Sequence, residues 1–203
     1  EALALRLQLN PHFMVNTLNA IAGLIATRRP AEAEQMTCRL ADFLRSSLTA
    51  DPTAHVPLED EIATVEAYLE IERVRCGERL RIAITIPDEL ADAGVPNFIL
   101  QPLVENAIKY GVAPHRLNVT VTIDCAVEEG RLRLRVEDRI EGAAPTAGSR
   151  AHPPSTGVGL ANVGKRLALD YGGDASLFTE RLENGFRAEI RLPLEKTGEG
   201  AGA

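Results

Sequence analysis

Three polar side chains line one face of a helix predicted near the start of the chain. His12, Asn16 and Asn19 lie at positions i, i+4 and i+7, so a helix places them in one narrow stripe, which Gly23 continues. Pro11 precedes the histidine, and a proline inside a helix removes an amide donor at a cost of about 3 kcal/mol. A helix loosened there would present the imidazole to an incoming group. A solvated polar face with a tolerated kink would show the same pattern.

A second polar group interrupts the apolar segment FILQPLVENAIKYG at 98–111. Glu105, Asn106 and Lys109 fall within one helical turn. A carboxylate, an amide oxygen and an ammonium group together suit a hydrated Mg²⁺ that carries phosphates, because Mg²⁺ takes oxygen ligands and keeps several waters. An amphipathic helix with these side chains in solvent is the alternative.

A glycine-rich segment, TGVGLANVGKRL at 156–167, leads into another predicted helix. Glycines before a helix let the backbone approach phosphates, whose charge the helix N-terminus favours. The P-loop pattern is absent, and the dinucleotide-binding GxGxxG pattern fails because Gly164 comes two residues late. A plain loop-to-helix turn remains the alternative.

The elements that must position these residues change character along the chain. Three helices are predicted first, with apolar stripes at Leu7, Pro11, Met14, Leu18, Ile21 and Ile25; at Ala33, Met36, Leu40, Phe43 and Leu44; and at Leu58, Ile62, Val65 and Leu69. The short connection at 27–30 makes the first two helices antiparallel neighbours. Such a hairpin cannot bury both faces alone, which favours a dimeric four-helix bundle. Glu59, Asp60 and Glu61 suit the first turn of the third helix.

From about residue 78 the apolar period becomes two, which predicts strands at 80–86, 117–123, 131–137 and 186–192. Helices are predicted at about 97–110 and 159–171, so the fold class is α+β, a sheet covered by helices on one face. The segment 143–156 is interpreted as a mobile loop and the tail from 196 onward as disordered. The domain boundary is predicted near 76–77.

Composition excludes several classes of protein. The chain has 203 residues, of which 45% are hydrophobic, so disorder throughout is excluded, and its net charge of -7 disfavours a basic nucleic-acid binder. No apolar run approaches the roughly 20 residues of a membrane span. Three scattered cysteines without CxxC spacing indicate a reducing compartment and neither a disulfide framework nor a zinc site. Because residue 1 is Glu, we expect a longer protein with an upstream sensor or membrane region.

Taken in order, these segments resemble the sensor histidine kinases of the LytS/YehU type. LQLNPHFMVNTLN at 7–19 is similar to their phospho-acceptor box, LQPLVENAIKYG at 100–111 to their N box and GVGLANVGKRL at 157–167 to their G box. YLEIERVR at 68–75 resembles their linker into the catalytic domain. The resemblance covers about residues 5–193. It implies a helical dimerisation and phosphotransfer domain at 1–76, a GHKL-type ATP-binding α/β sandwich at 77–195 and a disordered tail at 196–203.

The resemblance implies a cytoplasmic, homodimeric, ATP-dependent protein-histidine kinase. His12 would accept the γ-phosphoryl group of ATP and pass it to an aspartate on the receiver domain of a response regulator. Glu105 would orient a metal-bound water or act as base. Phe13 stands where many such kinases carry an acidic base, so Glu105 is our candidate for that base. Asn16, one helical turn after His12, is our candidate for positioning a water that dephosphorylates the response regulator.

The resemblance also implies a nucleotide site that uses ATP and Mg²⁺. Asn106 would ligate Mg²⁺, Lys109 would lie near phosphate, and Asp138 would accept a hydrogen bond from the adenine amino group. Gly157 and Gly159 would hinge a loop that closes over the triphosphate. The other nucleotide-binding candidates are Tyr110, Gly142, Leu160 and Asn162.

One departure from the family pattern lies in the adenine loop. The usual D-x-G-x-G reads Asp138-Arg139-Ile140-Glu141-Gly142 here, and a β-branched residue resists positive φ. We therefore expect this turn to take another path and nucleotide affinity to be lowered. Two alternatives follow: a degenerate dimeric signalling module without kinase activity, or an ATPase or serine kinase of the same fold that forms no phosphohistidine.

Overall fold

The computed structural model describes residues 11–112, 117–142 and 158–195. Three helices and a short strand come first: α1 (Pro11–Ala26), α2 (Pro30–Thr49), β1 (His55–Pro57) and α3 (Leu58–Cys76). The remaining elements are β2 (Leu80–Thr85), β3 (Gly94–Pro96), α4 (Gln101–Asn106), a π-helical turn (Ala107–Val112), β4 (Val119–Glu128), β5 (Arg131–Ile140), α5 (Val158–Tyr171), β6 (Ser176–Leu182) and β7 (Gly185–Pro193). Single 3₁₀ turns at Gly77–Arg79 and Asp88–Leu90 flank β2.

Five of the strands form one mixed sheet in the order β2-β4-β5-β7-β6. β2 and β4 are parallel, and the other pairs are antiparallel. A separate two-stranded ladder pairs β1 with β3, which attaches the segment before α3 to the segment before α4. The predicted α+β fold, helices followed by a mixed sheet with helices packed on it, is confirmed.

The two faces of the sheet follow the period-two pattern of β5. Leu132, Leu134 and Val136 are buried on the face covered by helices, as predicted. The other face carries arginines paired with carboxylates, for example Arg135 with Glu189 at 2.9 Å. Burial opposes ionisation of Glu189, but hydrogen bonds from arginines outweigh it and lower the pKa of this carboxyl. This face is therefore a paired polar surface.

The buried stripe of α1 differs from the predicted one. Phe13, Thr17 and Leu24 are buried, whereas Leu18 and Ile25 of the predicted seam are 55% and 61% exposed. Phe13 packs into an aromatic cluster with α2 and α3, which leaves Leu18 and Ile25 of the predicted seam exposed in a single chain. The predicted kink between Leu7 and Pro11 lies outside the described residues.

The predicted stripes of α2 and α3 are confirmed. Met36 and Phe43 on α2, and Leu58 and Leu69 on α3, are almost fully buried. Only Leu44 of these predicted positions is half-buried. Regular helical spacing predicted these faces because each packs against a neighbouring element rather than solvent.

Several predicted boundaries were wrong. β5 continues to Ile140 rather than ending at residue 137, and β4 begins at Val119. The helix predicted from residue 97 begins at Gln101, because Phe98 has a φ of +60° that no right-handed helix accommodates. β6 was missed because its side chains are mostly exposed and lack alternation. The segments predicted as a mobile loop and a disordered tail lie outside the described residues.

The cysteines and the remaining histidines take no part in a metal or disulfide cluster within the described part of the chain. Burial raises the pKa of the Cys125 thiol to about 12. His55 is exposed, as predicted, while His115 and His152 lie outside the described residues. No helix in the described ranges is both long enough and apolar enough to cross a membrane.

Candidate functional site

Asp138 lies on the helix-covered face of the sheet and is 1% exposed. It pairs with Val121 on β4 and with Phe186 on β7, so its carboxylate stands among apolar neighbours. The expectation that Asp138 follows a strand was wrong, because it lies inside β5, two residues before the end. An ionisable group held in apolar surroundings is typical of a binding site rather than of a plain core.

Two glycines let other backbone segments approach Asp138. A Cβ added at Gly111, in the π-helical turn, would lie 2.5 Å from the Asp138 Oδ1 atom. A Cβ added at Gly185 would lie 1.8 Å from the Asp138 carbonyl oxygen. Both distances are far below any tolerable contact, so these positions require glycine while Asp138 keeps its place.

The segment after Asp138 explains the departure from the glycine-rich pattern. Ile140 is buried, pairs with Val119 and donates its amide to the Asn184 carbonyl at 2.8 Å. A β-branched residue suits this extended position, so the strand continues and the turn is delayed. Gly142 then supplies the positive φ, at +79°. The turn thus takes another path, as predicted, without moving Asp138 out of the sheet.

α4 and its π-helical continuation carry the second polar group. Asn106 is 7% exposed, and its Nδ2 atom has no hydrogen-bond partner among the described residues. Glu105 is half-buried and accepts a hydrogen bond from the Gln101 Nε2 atom at 2.9 Å. Lys109 is exposed, and its Nζ atom lies 4.9 Å from the ring centroid of Tyr110. Asn106 is therefore buried, whereas Lys109 faces solvent.

α5 packs beside α4. A Cβ added at Gly159 would lie 3.6 Å from the Pro102 Cβ atom, which is ordinary contact, so the two helices approach closely there. Leu160 is buried in the core, so only its backbone can face a ligand. Asn162 is exposed, and Gly157 lies outside the described residues. The structure thus brings the start of the G-box helix to the N-box helix.

His12 lies in the first described turn of α1, and its side chain is exposed. Asn16 and Asn19 are exposed as well, so the predicted stripe faces solvent. The neighbouring Phe13 is buried, with its ring centroid 4.9 Å from that of Tyr68 on α3. This packing holds the histidine-bearing turn against α3 while leaving the imidazole accessible.

Tyr68 connects the two groups of site residues. Burial raises the pKa of its hydroxyl well above the usual range, and the carboxylates of Glu72 and Glu105 raise it further. The charge of Glu105 thus acts on the hydroxyl of Tyr68, whose ring also packs on Phe13. The histidine-bearing helix and the helix of Glu105 meet at α3.

Sequence reasoning missed two residues, Glu61 and Arg166. Glu61 was expected only to suit the first turn of α3, but its side chain is 1% exposed. A signal was available: Leu58, Glu61, Val65, Tyr68 and Glu72 follow steps of three, four, three and four and are all buried. A carboxylate on such a seam needs a buried partner. Arg166 donates from Nη1 to the Asn97 carbonyl, just before α4.

Two surface grooves formed by described residues lie elsewhere. One, of about 390 Å³, is lined by α3 and the edge strand β2, including Leu69 and Ile82. The other, of about 400 Å³, lies near the end of α3 and includes Arg73 and Gly77. Both are shallow and contain none of the predicted site residues. The region around Asp138 is distinguished by its buried polar side chains and not by the size of a groove.

The residues present fit ATP and Mg²⁺. A carboxylate among apolar neighbours, as at Asp138, can accept a hydrogen bond from an exocyclic amino group while those neighbours face the base. The side-chain amide of Asn106 can turn by 180° to offer its oxygen to a cation, and Mg²⁺ prefers such oxygen ligands. Exposed Lys109 supplies positive charge close by.

Two protein families match successive parts of the chain. Residues 1–80 match the family described as histidine kinase. Residues 92–196, more than half of the chain, match the family described as histidine kinase-, DNA gyrase B-, and HSP90-like ATPase. The order of the two matches is the order in which α1 and the Asp138 region occur.

Curated relatives and solved structures agree with these matches. The chain is 34% identical to the sensor histidine kinase YpdA of Escherichia coli over 97% of its own length and 35% of that protein. It is 30% identical to the sensor protein LytS of Staphylococcus epidermidis over 98% of its length and 34% of that protein. It therefore spans about a third of these relatives. The catalytic domain of histidine kinase ThkA shares the fold, with a TM-score of 0.51 and 20% identity, over 69% of this chain and 94% of that one.

Proposed function

We propose, from the premise that this chain belongs to the histidine kinase-, DNA gyrase B-, and HSP90-like ATPase family, that it is the kinase core of a two-component sensor. The resemblance to sensor histidine kinases of the LytS type is confirmed by the matched families and relatives. In this proposal His12 takes the γ-phosphoryl group of ATP and then passes it to an aspartate of a response regulator.

One observation carries the proposal. His12 is exposed on a turn of α1 that Phe13 holds against α3, and α3 also packs beside the helix that carries Glu105. An acceptor must be solvent-accessible, yet it must also be positioned relative to the nucleotide site, because phosphoryl transfer depends on positioning and charge neutralisation. A helix whose polar stripe served only for solvation would not have to be positioned relative to the nucleotide site.

The reaction requires little covalent chemistry from the protein. A ring nitrogen of His12 forms a bond to the γ-phosphorus while the bond from that phosphorus to the bridging oxygen breaks, so ADP leaves. The proton on the other ring nitrogen goes to a base, which we assign to Glu105. Asp138 would orient the adenine, and Asn106 would hold Mg²⁺, which would neutralise phosphate charge when bound. Lys109 adds positive charge on the exposed side.

The chemical stability of the label tests the proposal against its alternatives. After incubation with radiolabelled ATP and Mg²⁺, the protein should carry label that acid removes and alkali preserves, as a phosphoramidate does. Acid-stable label, or ATP hydrolysis without labelled protein, would favour a serine kinase or an ATPase instead. Absence of label together with weak nucleotide binding would favour the degenerate module, and the extended path through Ile140 would then be the first cause to test.

Replacing Glu105 by Gln should slow autophosphorylation by about 100-fold while ATP binding is retained, because a positioned general base contributes roughly that factor. The side chain keeps its size and its contact with Gln101, so folding should be preserved. Initial labelling rates and ATP affinity are measured for both proteins. Glu66→Gln, at an exposed glutamate of α3, is the control. A near-normal labelling rate in Glu105→Gln would eliminate the assigned base.

The kinase core acts as a homodimer in this proposal. The seam that α1 turns outward leaves Val15, Leu18 and Ile25 each more than half exposed, and Leu48 on α2 is 56% exposed. A second copy of the hairpin covers these side chains in a four-helix bundle, which buries the apolar area that one chain leaves in water.

Replacing Leu18 by Glu should convert the dimer to a monomer at micromolar concentration. A two-fold axis places the substitution on both sides of the interface, so we expect dimer affinity to fall by about 100-fold or more. Light scattering measures the mass. Leu169→Glu, at a leucine of α5 that is 84% exposed, is the matched control and should leave the mass unchanged. A wild-type monomer, or a dimeric Leu18→Glu protein, would contradict the proposed interface.

The partner of the phosphorylated dimer is the receiver domain of a response regulator, and both act in the cytoplasm, where ATP is available. Asn16 lies exposed one turn after His12, within reach of a docked receiver. We assign to Asn16 the positioning of the water that hydrolyses the receiver phosphate. In that step water takes the phosphoryl group from the receiver aspartate and inorganic phosphate leaves, so this role concerns the phosphatase reaction and leaves autophosphorylation to His12.

A further inference from the structure

Glu61 binds the backbone segment that begins α4. Its Oε2 atom accepts a hydrogen bond from the Phe98 amide at 2.7 Å, and its Oε1 atom accepts one from the Leu100 amide at 2.8 Å. The Gln101 amide also lowers the pKa of Glu61. These donors lie just before or at the start of a helix, where no helical carbonyl is available to them. The carboxylate comes from another helix, so it joins α3 to α4.

A second side chain, from α5, also binds this segment. Arg166 on α5 donates from Nη1 to the Asn97 carbonyl, and its charge acts on Glu61. Burial raises the pKa of Glu61, while the amides and Arg166 oppose that change. The segment 97–100 is thus bound between α3 and α5, in a conformation that includes the positive φ of Phe98.

α4 follows this segment directly and carries Glu105 and Asn106. About two turns after Glu61, near its middle, α3 contacts the turn of His12 through Tyr68 and Phe13. A displacement of α3 relative to α1 would therefore be passed to α4 through the two hydrogen bonds of Glu61, which cross the chain over 37 and 39 residues. The side chains at the two ends of this connection, Glu61 at one and Tyr68 with Phe13 at the other, are buried, so water does not compete for their contacts.

We infer that Glu61 is a positioning residue that sets the orientation of α4, and with it Asn106, according to the position of α3. The inference rests on the proposed function, because it assigns to α3 the transmission of a signal into the nucleotide site. Glu61 itself does not contact the nucleotide. Its effect is exerted through the backbone amides of Phe98 and Leu100.

The test compares Glu61→Gln with Glu72→Gln. Glu72 is a second buried carboxylate on the same face of α3, but it pairs with Arg75 of its own helix. Glutamine at 61 offers one oxygen and one N–H₂ group, so one backbone amide loses its acceptor. We expect the dissociation constant for ATP to rise at least tenfold, about the effect of losing one hydrogen bond to a charged group. Hydrogen exchange at the amides of 98 and 100 should accelerate, whereas Glu72→Gln should change neither quantity.

Equal ATP affinity and equal exchange at those amides in the two variants would overturn the inference, whatever the loss of thermal stability. Glu61→Asp provides a second variant that keeps the charge but is too short to reach both amides, and we expect an intermediate effect. Should Glu61→Gln fail to fold, wild-type affinity and exchange in Glu61→Asp would overturn the inference equally. Wild-type protein that binds ATP but forms no phosphohistidine would instead contradict the proposed function and leave the positioning role standing.

Discussion

Replacing His12 by Gln is expected to abolish phosphorylation of the protein by ATP while nucleotide affinity stays within about twofold of wild type. The side chain is exposed and lies on α1, so its removal takes away the acceptor nitrogen without disturbing the core around Asp138. A surface substitution of this kind usually changes stability by less than about 0.5 kcal/mol. Radiolabel incorporation and equilibrium ATP binding are the two measurements.

The matched control for His12 is His55, which is also exposed and whose Nε2 atom lies 3.0 Å from the Tyr171 hydroxyl. His55→Gln removes an imidazole of the same kind at a position remote from the polar stripe of α1. It should retain labelling close to wild type. Persistent label in His12→Gln would show that another residue is the acceptor, and the proposed reaction would have to be abandoned.

Replacing Gly111 by Ala is expected to weaken ATP binding by roughly 10- to 100-fold, equivalent to about 1.4–2.8 kcal/mol. The added Cβ would stand 2.5 Å from the Asp138 Oδ1 atom, so the carboxylate must leave its position on the sheet. Overpacking of a core typically costs about 1–3 kcal/mol of stability, and a lower melting temperature should accompany the lost affinity. Calorimetric titration with ATP and thermal unfolding measure the two effects.

Gly173→Ala is the control for this substitution. Gly173 follows α5, and a Cβ added there would meet no heavy atom within 4 Å. Both affinity and melting temperature should remain near wild type. If Gly111→Ala bound ATP as tightly as Gly173→Ala, then Asp138 would not contribute to nucleotide recognition in the way proposed here.

Local patterns predicted much of this protein. The alternation of leucine and arginine along β5, and the apolar steps of Leu58, Ile62, Val65 and Leu69 on α3, were sufficient to predict which faces are buried. Each of these patterns depends on the geometry of one element, whose period is the same in every protein. The motif around His12 and the N box could be identified for the same reason, since their residues lie within a few turns of one another.

Contacts between distant parts of the chain could not be predicted in this way. The hydrogen bonds that Glu61 accepts come from the amides of residues 98 and 100. Position 111 requires glycine because a Cβ there would meet the carboxylate of Asp138, which lies on β5. Hydrophobic spacing marked an apolar face on α1, but it could not tell which part of that face the rest of the chain buries. Pairwise contacts across many residues arise when elements pack together, so the amides that Glu61 binds, the pairing of Ile140 with Val119 and the contact of Phe13 with Tyr68 were visible only in three dimensions.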